Sequence, residues 1–440
     1  MSSVEIRLLC VTCFAHGVYY IVLYASVFSG GFVDCGEDAK GSSWRSEFGT
    51  DCGEKRAYNF IIDSLQFGAL CLAQLARVGD SLKRKLKHDA LVCFVCLILF
   101  SWLAVYRRTS STWYAFAVIR AAIVTIPGTV LPALKMHLLD VVKASERKKW
   151  NIRLTFGVNV VYLLYSPLAL LSTHVMAPIV QQRSWRILFG SSLFLLLVAC
   201  IAVWLNVDKP SDSISNDPEK LSNRSETSPP DISIGTRLRM RVWYFAVPYF
   251  IALPQSHVSI QAASYVKGNR HISFVVVQGG VTLSKLLLTI PSRFVTDTLP
   301  LHFAAVASFA FVCACEASRR WNSSWESIDW FEYVTLVFVA CAYIFNGLVI
   351  NRYVYATYRK QNSTERSVAI MSASAALSFA TAIAPLMQAL AEKNRFASAV
   401  VALGHACVAL FLNADQSSFL SDKETGIKTT AYRKLRTVTL

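Results

Sequence analysis

Residues 187–206 read ILFGSSLFLLLVACIAVWLN, a run with no Asp, Glu, Lys or Arg. A helix rises about 1.5 Å per residue, so a run of this length covers the roughly 30 Å of hydrocarbon in a bilayer. In water it would have to be buried on every face. Similar stretches lie near 8–29, 58–76, 89–106, 112–134, 154–176, 187–206, 242–262, 272–292, 299–315, 333–350, 367–390 and 396–413. Their spacing predicts an all-α, polytopic membrane protein with about twelve transmembrane helices. The last run is the weakest, being short and holding Gly404 and His405. Without it the chain would have eleven spans and an exterior C-terminus.

Composition agrees. Of 440 residues, 54% are hydrophobic and 16% charged, with a mean hydropathy of +0.41. Soluble chains carry roughly a quarter charged residues, so lipid is the missing solvent. The net charge of +16 does not point to nucleic acid. Its basic residues sit mostly in short loops beside the apolar runs, where they set topology. The twelve cysteines lie mainly inside those runs, at Cys10, Cys13, Cys71, Cys93, Cys96, Cys200 and Cys341 among others. There they act as small hydrophobes, so no metal and no cofactor is expected. No small-residue cleavage site follows the first run, which reads as an anchor that stays.

With the N-terminus inside, the interior segments hold about twice as many basic residues as the exterior loops. That bias runs through both halves and places both termini in the cytoplasm, with the plasma membrane as the expected location. Four regions follow: a six-helix half at 1–206, a linker at 207–236, a second six-helix half at 237–413 and a basic tail at 414–440. The linker is rich in Ser, Asp, Asn and Pro and reads as disordered. In the first exterior loop, Cys35 and Cys52 form a candidate disulfide. Asn322-Ser323-Ser324 lies in an exterior loop and is a glycosylation acceptor. Asn223 and Asn362 head similar triplets on the interior side, where modification is not expected.

The halves echo each other. Ser145-Glu146-Arg147 before the fifth span matches Thr364-Glu365-Arg366 before the eleventh. Each is followed by a proline, Pro167 or Pro385, and Arg77-Val78-Gly79-Asp80 corresponds to Arg293 through Asp297. All three pairs share one offset, about half the chain.

Two six-helix halves joined by a long interior loop resemble the major facilitator superfamily. The loop after the second span there reads Gly-x-x-x-Asp-(Arg/Lys)-x-Gly-(Arg/Lys)-(Arg/Lys). This chain offers Ala76 through Lys85, in which Asp80, Arg84 and Lys85 fit while both glycines and one basic position are lost. The resemblance implies that these three charges belong to a gate loop. It also implies an arginine in the fourth span, matched by Arg120, and a proline motif in the fifth, kept only as Ser166-Pro167. A weaker resemblance, carried by Asn346-Gly347, Glu365 and Ala369-Ile370-Met371, is to the equilibrative nucleoside transporters. Val281 and Lys285 there replace that family's aspartate and arginine.

Ionisable groups at membrane depth are costly and mark function. Asp63 and Arg120 fall at a similar depth, about 8–12 Å below the exterior boundary, where they can pair. One reading makes the pair structural; the other makes Asp63 a coupling group tuned by Arg120. Lys285 lies past the middle of the eighth span. It either snorkels or holds an anionic group of the substrate. On the seventh span Pro248 and Pro254 break the helix beside Gln255, His257 and Gln261, a pattern that lines substrate sites in transporters. His16, Tyr19 and Tyr20 on the first span, with Gln278 and Asn346, complete the substrate-binding candidates. The expected function is transport of a small polar organic solute, an amino acid or organic acid, with a proton or another ion as coupling partner. The chain is expected to be a monomer in the bilayer. A nucleoside transporter and a non-transporting receptor or scaffold are the alternatives. Enzyme chemistry finds no motif.

Overall fold

The computed structural model describes residues 3–28, 55–76, 110–142, 146–165, 184–207, 242–254, 256, 298–322, 329–358 and 363–421. Ten helices fill them: α1 Ser3–Phe28, α2 Lys55–Ala76, α3 Ser110–Val141, α4 Arg147–Leu163, α5 Ser184–Val207, α6 Val242–Pro254, α7 Thr298–Trp321, α8 Asp329–Tyr358, α9 Ser363–Lys393 and α10 Arg395–Ser421. Every expected span within these residues is helical. The runs at 89–106 and 272–292 lie outside the described residues. So do Cys35, Cys52, Asp80, Arg84, Lys85, Gln255, His257, Gln261, Gln278 and Lys285.

Seven helices are long and apolar enough to cross a membrane by composition: α1, α3, α5, α7, α8, α9 and α10. The twelfth run is among them, as Arg395–Leu412. Neither α2 nor α4 is. Among the residues of α2 are Asp63, Gln66 and Gln74, while α4 has 17 residues in all.

Two boundaries correct the sequence reading. The crossing part of α3 runs to Leu139, so Lys135 belongs to the span and not to an interior loop. That of α7 runs to Trp321, so Glu316, Arg319 and Arg320 belong to it too. Arg120 and Lys285 are therefore not the only basic residues within spans. Backbone hydrogen bonding carries a helix past its last apolar residue, and long side chains can reach toward water from there.

The chain separates into two compact units. One is Met1–Phe245 with Val354–Leu386; the other is Ala246–Tyr353 with Met387–Leu440.

In the first unit α1 packs against α3, α4 and α5. Small residues set the approach. A Cβ on Gly17 would lie 3.0 Å from the Val158 carbonyl, and one on Gly157 would lie 2.5 Å from the Cys13 sulfur. Glycine lets the α1 and α4 backbones meet, as membrane helices commonly do. Arg147 then donates from Nε to the Leu139 carbonyl at 2.8 Å, tying the start of α4 to the end of α3. That carbonyl is among the last four of its helix, which lack intrahelical donors.

In the second unit Phe309, Val312, Leu336, Val339, Ala402 and Ala406 form a core shared by α7, α8 and α10. Phe311 stacks on Phe338 with centroids 4.7 Å apart.

Candidate functional site

Asp63 and Gln66 lie one turn apart on α2 and so share a face. Arg120 meets them from α3. Its Nη2 is ion-paired with Asp63, and its Nε donates to Gln66 Oε1 at 2.6 Å. The three are 3%, 2% and 1% exposed, respectively for Asp63, Gln66 and Arg120. The pair expected from their common depth forms. A buried charge needs such a partner, because removing one leaves the other uncompensated in a low dielectric. Gln66 was not legible as a partner, although its place three residues after Asp63 is the available signal.

A second polar junction lies further along the same helix. Gln74 donates from Nε2 to the Gly128 carbonyl of α3 at 2.9 Å. That carbonyl lacks its helical donor because the residue four positions on is Pro132. Gln74 Oε1 accepts from the Ser378 hydroxyl of α9 at 2.8 Å. Freed backbone groups inside a membrane must find such partners.

On α1, Tyr19 donates to the Val124 carbonyl at 3.0 Å. The His16 ring nitrogen Nδ1 lies 3.0 Å from the Thr12 carbonyl, and Lys135 of α3 is an electrostatic neighbour of the ring. Lys135 sits fifteen positions after Arg120, close to the same face of α3. It is a second candidate that sequence reasoning placed in a loop. Tyr20, by contrast, is 40% exposed, and its ring lies 5.9 Å from that of Tyr162 on α4. Its ring lies 5.9 Å from that of Tyr19 as well.

In the second unit Asn346 of α8 is buried and donates its amide to the Ile251 carbonyl of α6. His405 of α10 lies beside two α6 aromatics, its ring centroid 5.6 Å from Phe250 and 6.4 Å from Tyr249. A further charged cluster occupies the far end of α7. Arg319 lies 3.8 Å from both Glu316 and Glu332, with its guanidinium 5.5 Å from the centre of the Phe331 ring. It escaped the sequence reading because the apolar run was cut at residue 315. Asn322, which follows α7, is exposed. Among the described residues no group of His, Cys, Asp and Glu could hold a metal ion.

Comparison with known proteins decides the class. Residues 76–421, well over half of the chain, match the family model described as Major Facilitator Superfamily. The chain belongs to this superfamily. Of the two resemblances in the sequence, the family match selects the first. Two solved structures show the same fold. The major facilitator superfamily proton:xylose symporter XylE, bound to 6-bromo-6-deoxy-D-glucose, is 14% identical with a TM-score of 0.67, covering 92% of this chain and 94% of its own. A bacterial homologue of the iron transporter ferroportin, in an outward-facing state, is 12% identical with a TM-score of 0.64, covering 95% of this chain and all of its own. No curated protein matches the chain by sequence. Major facilitator membership makes this a multi-pass membrane transporter with the twelve-span, two-times-six-helix architecture.

Proposed function

We propose that the solute is a small polar organic molecule bearing a carboxylate, an amino acid or organic acid, moved by alternating access of the two halves. The observation that carries this reading is Arg120, a buried guanidinium whose present partner is itself a carboxylate. An oxyanion on a solute has the chemistry to compete for that seat. Lys285 adds positive charge, and His16, Tyr19, Tyr20, Gln255, His257, Gln261, Gln278 and Asn346 supply polar contacts. Asp63 is the coupling group, released from Arg120 when the solute arrives. Xylose and iron are the cargo of chains too distant to lend a substrate.

Around this site, Asp80, Arg84 and Lys85 form the gate loop, and Cys35 with Cys52 closes a disulfide in the first exterior loop. The halves comprise 1–206 and 237–413, joined by the 207–236 linker and followed by the 414–440 tail. The protein is a monomer of the plasma membrane with both termini cytoplasmic.

The test is uptake into proteoliposomes with and without a pH gradient. Lys285→Gln should reduce transport of anionic solutes far more than neutral ones, and equal loss for both removes the preference for an anion. Asp63→Asn should abolish gradient-driven accumulation while sparing counterflow. Absence of saturable flux for every amino acid and organic acid tried would overturn the reading.

A further inference from the structure

Gln66 is held by one end of its amide. Its Oε1 accepts from Arg120 Nε at 2.6 Å. A guanidinium has N–H donors and no acceptor, so the amide atom that faces it has to be the oxygen. The NH2 group is thereby turned away from Arg120. Gln66 is 2% exposed, and its Nε2 has no acceptor among the described residues. Gln74, Asn159 and Asn346 are buried as well, but each gives its amide nitrogen to a backbone carbonyl, of Gly128, Thr155 and Ile251 respectively. A buried donor without an acceptor is costly, so such a group in a folded protein calls for a role.

We infer that Gln66 is a specificity-determining residue whose amide nitrogen donates to a carboxylate oxygen of the solute beside Arg120. The inference rests on the reading of Arg120 as the carboxylate seat and adds the second half of that seat. A carboxylate carries two oxygens. One meets the guanidinium, and the other meets a neutral donor that Arg120 itself holds in place. The two residues then read different properties of the solute. Arg120 reads charge, whereas Gln66 reads the direction of a hydrogen bond. A site that offers only donors rejects an analogue in which NH2 replaces one oxygen, because donor then faces donor. The pair therefore separates an acid from its primary amide.

Gln66→Glu is the deciding variant. It keeps the shape of the side chain and an oxygen for Arg120 Nε, while an acceptor replaces the NH2 donors. Proteoliposome uptake is measured for amino and organic acids, L-alanine and L-lactate among them. The primary amide and the methyl ester of each acid serve as inhibitors. Amide and ester carry equal charge, and only the amide bears N–H groups, so their ratio cancels the effect of added charge. Gln66→Glu should raise KM for the acid about tenfold, the worth of one hydrogen bond to a charged group. It should also shift inhibition toward the amide relative to the ester, since an amide N–H now meets an acceptor. An unchanged amide-to-ester ratio overturns the inference and leaves the role of Arg120 standing. Absence of saturable acid uptake by the wild type overturns the role of Arg120, and this inference with it. Should Gln66→Glu fail to fold, Gln66→Met decides: it should narrow the wild-type preference for ester over amide, and an unchanged preference overturns the inference. Failure of both variants to fold assigns Gln66 to structure and overturns it too.

Discussion

Replacing Arg120 with leucine removes the only guanidinium shown against Asp63 among the described residues and leaves that carboxylate buried on α2. Asp63 is 3% exposed, so water gives little relief. Breaking a buried ion pair by removing one partner costs about 3–5 kcal/mol. An acidic side chain at the centre of a spanning helix costs about 2.5–3.5 kcal/mol on insertion scales, an upper figure for the shallower Asp63 and of the same order. The double variant Asp63→Leu with Arg120→Leu removes both charges. It leaves the Gln66 side-chain oxygen without its Arg120 donor, a loss of about 1–3 kcal/mol. The double variant should therefore be about 2 kcal/mol more stable than Arg120→Leu alone, about 25-fold in the unfolding equilibrium. Reversible unfolding in mixed micelles, titrated with sodium dodecyl sulfate, measures the difference. Equal stability of single and double variants would refute the reasoning, since Asp63 would then not depend on Arg120. The double variant also divides structure from transport: a folded but inactive protein assigns the pair to solute handling, and a folded, active one makes it a fastening.

Gly17→Leu should destabilise the protein by about 1–3 kcal/mol through overpacking against Val158 and Val161. Gly68→Ala and Gly190→Ala should be tolerated, because a Cβ at either position meets nothing within 4 Å; thermal unfolding of the three in detergent compares them. Asn322→Gln should remove a glycan, seen as loss of the mobility shift that peptide N-glycosidase produces. An unmodified Asn322 in a glycosylating host would argue against the exterior assignment of the loop after α7, and with it the side on which the termini lie.

The spans were legible because lipid imposes a length and a polarity that a window of residues records directly. Even the doubtful twelfth run is helical, since Gly404 and His405 are absorbed by α10: a Cβ on Gly404 would meet nothing, and His405 turns a ring nitrogen to the Val401 carbonyl at 2.8 Å. The ends were less legible. Counting basic residues as loop markers assigns Lys135 and Arg319 to water, whereas helices α3 and α7 carry both into their spans. Of the site, the Asp63–Arg120 pair could be read from shared depth. The Gln74 junction could not, because Ser378 lies 304 positions away. The need for that junction is nonetheless written locally, in Pro132, which predicts an unsatisfied carbonyl at Gly128 without naming who answers it.

The ion pair between α2 and α3 also bears on how the chain is made. Its two members are 57 positions apart. Ribosomes add about 5–20 residues per second, so Asp63 exists for roughly 3–11 seconds before Arg120 is synthesised. Through that interval α2 carries an acid that still lacks this guanidinium, and α2 is not among the helices long and apolar enough by composition to cross a membrane. Its entry into lipid is therefore favoured once α3 emerges, when acid and guanidinium can enter as a neutral couple.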